Sequence, residues 1–238
     1  MRRIDTAMHK QGFKNYDDFF SEVLNNKLSF TKLFFDLSIN VTQFLRQPAS
    51  YDYLKNSVLP KIASYSHLKM WCAGVSSGEE AYTLASLLDS SQFLEKTIIY
   101  ATDFNPYILQ IAKNGLYSKT QVNSVVFANN DETEHFRQLF DQYDNIMSIK
   151  SRIAKHIHFF SHNLTTDASL GEFQLIICKN VLIYFDDDLQ HQVLNLFYHS
   201  LSLDGYLILG ESENIMGQKN LKLFKTINSN AKIYQRCL

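Results

Sequence analysis

The sequence predicts an α/β fold with a doubly wound, mostly parallel sheet. Short apolar runs alternate along the chain with segments of helical character, as in strands joined by helical crossovers. The first clear strand runs into a loop of small residues, a helix and a second strand, which together make one βαβ unit. The chain has 238 residues, 45% of them hydrophobic, which suffices for one core, or one core with a small appendage.

A small helical region precedes this alternation. The apolar residues of its first helix recur at helical spacing and are Phe13, Tyr16, Phe20, Val23 and Leu24. A second helix is expected near Phe30 to Asp36, and Tyr51 to Ser64 has a helical pattern interrupted at Pro60. We therefore assign residues 1–38 to an N-terminal helical region and residues 39–238 to the main domain.

The first βαβ unit begins with the apolar run Leu68 to Cys72, which ends in Ala73 and Gly74. Good helix formers follow from Glu79 to Asp89, and a β-rich run from Lys96 to Thr102 stops at Asp103. A further helix, Tyr107 to Asn114, is predicted to close on Gly115 as its C-terminal cap.

A polar segment, Ser118 to Lys155, then interrupts the pattern and is predicted to be an irregular insertion or subdomain at about 118–155. The alternation resumes afterwards. The later elements are strands Ile157 to Ser161 and Phe173 to Cys178, a helix from about Asp187 to Leu201, a turn at Leu203-Asp204-Gly205, strand Tyr206 to Gly210, and a last strand near Lys232 to Gln235. The final strands suggest a terminal hairpin on the sheet.

Composition narrows the classes of partner. The formal net charge is -1, so no overall positive field favours nucleic acid or an anionic membrane, and a small molecule or a protein is the better substrate class. Three cysteines without CxxC spacing argue against a disulfide framework and fit a reducing compartment. Neither a signal sequence nor a run long enough to span a bilayer is evident, so we expect a cytoplasmic protein without membrane insertion.

The loop Ala73 to Glu80 is the first candidate site. Its glycines, Gly74 and Gly78, let the backbone approach a ligand closely where the first strand becomes a helix. The loop lacks GxGxxG and GK[ST], and its two carboxylates, Glu79 and Glu80, would repel a pyrophosphate. S-adenosylmethionine carries an ammonium and a sulfonium, so an acidic loop favours this cofactor. Alternatively, the two glutamates only complement the helix dipole.

Further polar residues follow the other predicted strands. Asp103 closes the second strand, where an acidic side chain can take both ribose hydroxyls, or alternatively cap the next helix. Asn163 is placed to contact the adenine or its surroundings, although turn chemistry also explains it. Lys179, Asn180 and Tyr184 follow the fourth strand, at the carboxyl edge where open α/β sheets bind ligands.

Six segments carry a resemblance to a known family: Ile39 to Arg46, Trp71 to Tyr82, Ala101-Thr102-Asp103, Asn163-Leu164, Cys178 to Phe185 and Gly210-Glu211-Ser212-Glu213. In this order they resemble the CheR chemotaxis methyltransferases, over roughly Gly12 to Tyr234. The resemblance implies a Rossmann-like class I methyltransferase sheet. It also implies methyl transfer from S-adenosylmethionine to glutamate side chains of chemoreceptors, giving a methyl ester and S-adenosylhomocysteine.

The resemblance also implies a set of site residues. The cofactor would contact Asn40, Thr42, Arg46, Glu80, Asp103, Asn163, Leu164, Lys179 and Asn180, to which the loop reasoning adds Gly74. Arg46 and Tyr184 would flank the reacting centre.

The chemistry needs no general base, because a glutamate side chain with a pKa near 4.3 is already ionised at neutral pH. Catalysis would depend on positioning, and a guanidinium fork such as Arg46 matches a carboxylate well. Tyr184 would steer by hydrogen bonding or cover the sulfonium. Alternatively, Arg46 makes only a surface salt bridge and Tyr184 is a half-buried aromatic residue.

The sequence departs from the family at several places. Lys179 stands where the family usually has Arg, and Ala81 where it usually has Pro. The helical region before Ile39 is much shorter than the receptor-contacting domain of the family, and nothing in the insertion matches a peptide-docking motif.

Competing interpretations remain for some signals. His156, His158 and His162 would share one strand face, but we take this as a partly exposed face and expect no metal. A noncatalytic S-adenosylmethionine-binding signalling module and a divergent methyltransferase with another acceptor are the alternative functions. A nicotinamide oxidoreductase is disfavoured by the absent GxGxxG.

Overall fold

The computed structural model describes residues 2–26, 28–30, 32–33 and 42–237. The chain divides into two compact units, Met1–Val41 and Thr42–Leu238. Helices α1 (Arg2–Lys10) and α2 (Tyr16–Asn25) belong to the first unit, where Ala7, Met8, Phe19, Val23 and Leu33 form a small core. Helix α2 confirms the first predicted helix, whereas α1 was not predicted. The helix expected near Phe30 to Asp36 and the boundary at residues 38 and 39 lie largely outside the described residues.

The second unit is built on a seven-stranded sheet with a smaller sheet beside it. The strands are β1 (Leu68–Ala73), β2 (Thr97–Asp103), β3 (Leu116–Ser118), β4 (Phe140–Tyr143), β5 (Ile146–Ile149), β6 (Ile157–Ser161), β7 (Phe173–Cys178), β8 (Leu201–Leu209), β9 (Phe224–Asn228) and β10 (Ile233–Arg236). The large sheet has the order β6-β2-β1-β7-β8-β10-β9, parallel from β6 to β8 and antiparallel at β10 and β9. This confirms the doubly wound, mostly parallel fold with a terminal hairpin.

The central strands β1 and β7 are buried along almost their whole length, because successive side chains pack into two different cores. Met70 and Cys72 of β1 belong to one hydrophobic cluster, whereas Trp71 and Ala73 belong to the other. A central parallel strand must cover both faces, so it has a nearly continuous apolar sequence. Trp71 is fully buried and donates its indole N–H to Oγ1 of Thr102 at 2.8 Å, which joins β1 to β2.

Helices cover both faces of the large sheet. Those of the second unit are α3 (Pro48–Tyr53), continued by one π turn (Leu54–Val58), then α4 (Glu79–Ser90), α5 (Pro106–Asn114), α6 (Lys119–Asn123), α7 (Asn130–Arg137), α8 (Ser151–Ala154), α9 (Asp187–Ser200) and α10 (Gln218–Leu221), with single 3-10 turns at Leu94–Lys96 and Leu182–Tyr184. Helix α4 packs Leu84 and Leu88 into one core, and α9 packs Val193 and Phe197 into the other. Gly115 caps α5 with a φ of 58°, as predicted.

The expectation that residues 118–155 are irregular was wrong. Strands β3, β5 and β4 form a three-stranded antiparallel sheet in that order, and α6, α7 and α8 flank it. Phe136 and Phe140 are buried there and lie 5.2 Å and 6.0 Å, ring to ring, from Phe44. The apolar residues are spread over elements of three to eight residues, too short for a periodic pattern to emerge.

The turn predicted at Leu203-Asp204-Gly205 was also wrong. Strand β8 begins at Leu201 and runs through these residues, with a register shift opposite β7 between Phe173 and Leu175. The irregular pairing leaves Leu203 and Asp204 exposed, which explains the turn-like sequence. Within the described parts of the chain, no helix has the length and apolar character needed to cross a membrane.

Candidate active site

The carboxyl ends of the parallel strands bring together the segments that the sequence singled out. In the order β2-β1-β7-β8, Asp103 ends β2, the glycine loop follows β1, and Lys179 follows β7. Gly210 follows β8 on the same edge. Ligands of open α/β sheets bind at this edge, so these positions agree with the sequence-based expectation.

The loop after β1 has a conformation that needs glycine. Gly74 has a φ of +81°, and a Cβ there would collide with Val181. Its backbone N–H donates to the carbonyl of Thr102 at 2.7 Å, which holds the loop against β2. Ser76 also has a positive φ, 51°, and its buried Oγ has no hydrogen-bond partner among the described residues. The loop therefore offers a close backbone approach and a polar atom directed into the fold.

Asp103 ties this loop to the end of β2. Its Oδ2 accepts the backbone N–H of Ser76 at 2.9 Å, and its Oδ1 accepts that of Asn105 at 2.9 Å. Burial raises the pKa of Asp103, and these backbone hydrogen bonds oppose the rise. The residue that caps α5 is Asn105, whose side chain accepts the N–H groups of Tyr107 and Ile108. The capping alternative for Asp103 is therefore wrong, and its contact to ribose stays a prediction.

Glu80 is a buried carboxylate in a charged cluster. The residue is 8% exposed. Burial, aided by the charge of Glu213 and opposed by Lys179 and Arg46, raises its pKa to about 7. A carboxylate in this setting is stabilised by a cation that binds beside it. Glu80 is thus suited to an ammonium group, as the sequence reasoning requires.

Lys179 is held by protein groups of residues 46–51. Its Nζ donates to Oγ of Ser50 at 2.8 Å and to the carbonyl of Arg46 at 3.3 Å, and it lies 3.9 Å from the centre of the Tyr51 ring. Burial lowers the pKa of Lys179, and the negative charge of Glu80 opposes that effect. Lys179 therefore fixes the backbone at Arg46, a contact that the sequence did not reveal.

Glu79 has surroundings unlike those of its neighbour Glu80. Its carboxylate accepts Oγ–H of Ser77 at 2.7 Å and lines a cavity of about 410 Å³. Thr42 is half-buried at the wall of the same cavity. Thr83 donates to the carbonyl of Glu79 at 2.7 Å and accepts the N–H of Leu45 at 3.1 Å, which joins the Thr42 segment to α4.

The loop after β7 carries the remaining candidates. Asn180 has a φ of +60°, and its Oδ1 is buried without a hydrogen-bond partner in the part of the chain that the structure describes. Tyr184 ends the 3-10 turn and is 55% exposed. Glu213, which sequence reasoning quoted but gave no role, accepts hydrogen bonds from this loop. The spacing Gly-x-x-Glu after a strand was the available signal.

Asn163 and Leu164 occupy the turn after β6. Oδ1 of Asn163 accepts the N–H of Thr165 at 3.0 Å and its hydroxyl at 2.9 Å, so the turn chemistry proposed as an alternative is present. Leu164 is buried in the same core as Trp71. Asn40, another candidate, lies outside the described residues.

The histidines and cysteines have separate surroundings. Strand β6 includes His158 but not His156 or His162, so the three do not share one strand face. His162 is buried edge-on against Trp71, and Nε2 of His156 lies 3.4 Å from Glu95. Among the described residues no group of His, Cys, Asp and Glu could hold a metal ion. Cys72 and Cys178 are free thiols buried in β1 and β7.

These residues fit S-adenosylmethionine. The buried carboxylate of Glu80 suits an ammonium, and Gly74 lets the loop after β1 pack against Val181 of the loop after β7, where a Cβ would not fit. Ser76 and Asn180 present the unpartnered polar atoms described above, and buried polar atoms normally have a partner. When bound, this cofactor supplies a methyl group activated by a positive sulfonium.

Comparison with known proteins agrees with the geometry. Residues 40–233 match the family described as CheR methyltransferase, SAM binding domain. "Putative methyltransferase Cher3" of Pseudomonas putida is 36% identical over 90% of this chain and 79% of its own length. The "Chemotaxis protein methyltransferase" of Borreliella burgdorferi is 31% identical over 92% and 81%, and that of Listeria innocua 33% over 96% and 85%. The chain therefore belongs to the CheR family of S-adenosylmethionine-dependent methyltransferases.

Proposed function

We propose that this enzyme transfers the methyl group of S-adenosylmethionine to the side-chain carboxylate of a glutamate on a chemoreceptor, which yields a methyl ester and S-adenosylhomocysteine. The observation that carries the proposal is the cluster of Glu80, Lys179 and Arg46 at the carboxyl edge of the sheet. It combines a buried carboxylate for the cofactor ammonium with a guanidinium that matches an acceptor carboxylate. Two of the relatives described above are named chemotaxis protein methyltransferases, which supports a chemoreceptor, reached on its cytoplasmic part, as the acceptor.

The residues of this chain would divide the work of binding. Glu80 receives the ammonium, Asp103 the ribose hydroxyls, and the backbone at Gly74 allows close approach. Asn180 contacts the cofactor from the loop after β7, and Thr42 contacts it from the segment before α3. Lys179 acts through the carbonyl of Arg46, to which its ammonium donates a hydrogen bond.

Asn163, Leu164 and Asn40 complete the proposed cofactor contacts. Asn163 and Leu164 would border the adenine from the end of β6, since their turn lies on the same sheet edge as Asp103. Asn40 is assigned on the family resemblance alone.

Catalysis would then be a matter of orientation. The acceptor glutamate is already ionised at neutral pH, so no proton has to be removed before transfer. The guanidinium of Arg46 would hold the carboxylate in line with the methyl group, and orientation of this kind can supply several kcal/mol of barrier reduction. Tyr184, half-exposed at the rim, would direct the carboxylate by a hydrogen bond from its hydroxyl.

The test is methyl transfer from labelled S-adenosylmethionine to a receptor fragment that contains the acceptor glutamate. Arg46→Ala should lower kcat/KM by about 100-fold, Arg46→Lys by less, and Tyr184→Phe by about tenfold. Arg152→Ala and Tyr143→Phe remove the same groups from exposed positions elsewhere and serve as controls. The labelled product should release methanol in alkali, as an ester does.

Three results would contradict the proposal. Undiminished turnover in both Arg46→Ala and Tyr184→Phe would remove their assigned roles. An alkali-stable product would exclude an ester and indicate another acceptor. Binding of S-adenosylhomocysteine without transfer to any receptor fragment would favour a noncatalytic signalling module.

A further inference from the structure

Glu213 lies beside the carboxyl ends of β7 and β8, and its carboxylate accepts hydrogen bonds from four backbone N–H groups. Oε1 accepts from Val181 and Leu182, both at 2.8 Å. Oε2 accepts from Asn180 at 2.9 Å and from Gly210 at 2.6 Å. The residue is only 3% exposed. A carboxylate has about four acceptor positions, so this one is fully used by the backbone.

Three of the four donors are successive residues of one loop. Their N–H groups converge on the carboxylate where Asn180 has its positive φ of 60°, a conformation that non-glycine residues seldom adopt. Convergent backbone N–H groups form a natural anion site, and here the anion is a side chain of the same molecule. The carboxylate thus holds the loop in this one conformation.

Gly210 makes this arrangement possible. A Cβ at Gly210 would lie 2.5 Å from Oε2 of Glu213 and 2.8 Å from the backbone nitrogen of Asn180. Neither atom has room to retreat, because each is engaged in the hydrogen bonds described above. Glycine at the end of β8 and glutamate three residues later therefore act as one clamp on the loop after β7.

The clamped loop bears two residues of the proposed active site. Asn180 is itself a donor to the carboxylate, and the 3-10 turn that ends at Tyr184 begins at Leu182, another donor. We propose that Glu213 is a positioning residue, which sets the placement of Asn180 toward the cofactor and of Tyr184 toward the acceptor. For Tyr184 this inference rests on the proposed function, whereas for Asn180 it requires only that the protein binds the cofactor.

The test is Glu213→Gln, which keeps the shape but replaces one acceptor oxygen by an NH₂ group that faces N–H donors. Glu211→Gln, an exposed neighbour on the same segment, is the matched control. S-adenosylhomocysteine titration by calorimetry gives the number of competent sites and the Kd, and methyl transfer to the receptor fragment gives kcat per site and KM.

We expect Glu213→Gln to lower kcat per competent site about 10- to 100-fold, to raise the Kd for S-adenosylhomocysteine severalfold, and to change the acceptor KM less than about threefold. Glu211→Gln should match the parent protein. A merely structural role would reduce the number of competent sites and the Tm while leaving kcat per site and Kd unchanged, and that result would overturn the inference.

Gly210→Ala provides a second test in case Glu213→Gln fails to fold. It leaves the carboxylate intact, but the added methyl group displaces Oε2 of Glu213 or the backbone of Asn180. As in Glu213→Gln, kcat per site should fall and the Kd should rise. Parental values in a folded Gly210→Ala protein would overturn the inference. If the parent protein binds S-adenosylhomocysteine but methylates no receptor fragment, the proposed function fails; the Kd of the variants then decides whether Glu213 positions Asn180.

Discussion

The loops after β1 and after β7 are built on the same plan, yet they use their carboxylates differently. Each loop passes through a residue with positive φ, Ser76 in one and Asn180 in the other, and each is held by an acidic side chain from the end of the neighbouring strand. Asp103 accepts the N–H groups of Ser76 and Asn105, one on each oxygen, and a backbone hydrogen bond from Phe104 also acts on it. Glu213 accepts two N–H groups on each oxygen.

This difference matches the two roles that we propose, ligand binding for Asp103 and loop positioning for Glu213. Asp103 keeps acceptor capacity for a ligand hydroxyl, whereas the carboxylate of Glu213 is saturated by the backbone. Glu80 forms a third case, because its carboxylate faces the side-chain cations Lys179 and Arg46 and is raised in pKa by burial. The three buried acids at one sheet edge thus differ in how their oxygens are occupied, and the roles we propose for them follow that difference.

The largest effect is expected from Glu80→Gln. Loss of the charge that receives the cofactor ammonium should raise the Kd for S-adenosylhomocysteine by about 10- to 100-fold, since a hydrogen bond to a charged group contributes about 1.5–3 kcal/mol. Calorimetric titration at pH 8 measures it. Glu79→Gln is the control, because its carboxylate bonds to Ser77 instead, and it should change the Kd less than about threefold. Equal losses in both variants would contradict the division between the two glutamates.

The second prediction concerns Gly74, in the loop after β1. Gly74→Ala should lower the free energy of unfolding by about 2–3 kcal/mol, because a methyl group there meets both an unfavourable φ and Val181. Gly217 has the same φ of +81°, with a ψ of 142°, but a Cβ there meets no described atom within 4 Å, so Gly217→Ala should cost the backbone strain alone, about 1–2 kcal/mol. Urea unfolding of both variants measures the difference. If the two cost the same, the loop does not need its close approach to Val181.

The sequence predicted the sheet well because β1 and β7 are continuous apolar runs, as expected for central parallel strands that are buried on both faces. It also predicted that Glu80, Asp103 and Asn180 share one edge, since the carboxyl ends of parallel strands must meet there. It did not predict the partners of Lys179, because Ser50 is 129 residues earlier in the chain and no local pattern joins them. The small sheet of β3, β5 and β4 was missed because its strands of three or four residues are too short for a clear pattern, and the clamp at Glu213 because it pairs a side chain with the backbone of a loop about 30 residues earlier.

The third prediction sharpens the contrast between Asp103 and Glu213. Asp103→Asn keeps a carbonyl oxygen for one backbone donor, so the free energy of unfolding should fall by only about 1 kcal/mol. The ribose contact would lose a charged acceptor, and the Kd for S-adenosylhomocysteine should rise about tenfold. Titration and urea unfolding on the same samples measure both quantities. A large loss of stability with an unchanged Kd would make Asp103 a second clamp of the Glu213 kind.

The smallest effect is a pH dependence of cofactor affinity that comes from Glu80. The groups that act electrostatically on its carboxylate are Lys179, Arg46 and Glu213. Glu80 in turn raises the pKa values of Tyr51, Cys72 and Cys178.

Burial raises the pKa of Glu80 to about 7, so below that pH the carboxyl is largely protonated and binds an ammonium poorly. Affinity for S-adenosylhomocysteine should therefore rise as pH increases from 6 to 8, by up to about tenfold, with release of a proton on binding near neutral pH. In the free enzyme the same raised pKa means that the folded state holds its proton more tightly than the unfolded chain. Its contribution to stability is therefore present at low pH and is lost as pH rises from about 4.3 towards 7. Calorimetry in buffers of different ionisation enthalpy counts the released protons, and Glu80→Gln should abolish both the release and the slope. A slope that survives in Glu80→Gln would assign the titration to another group of the cluster, with Lys179 the first to examine because burial lowers its pKa towards the same range.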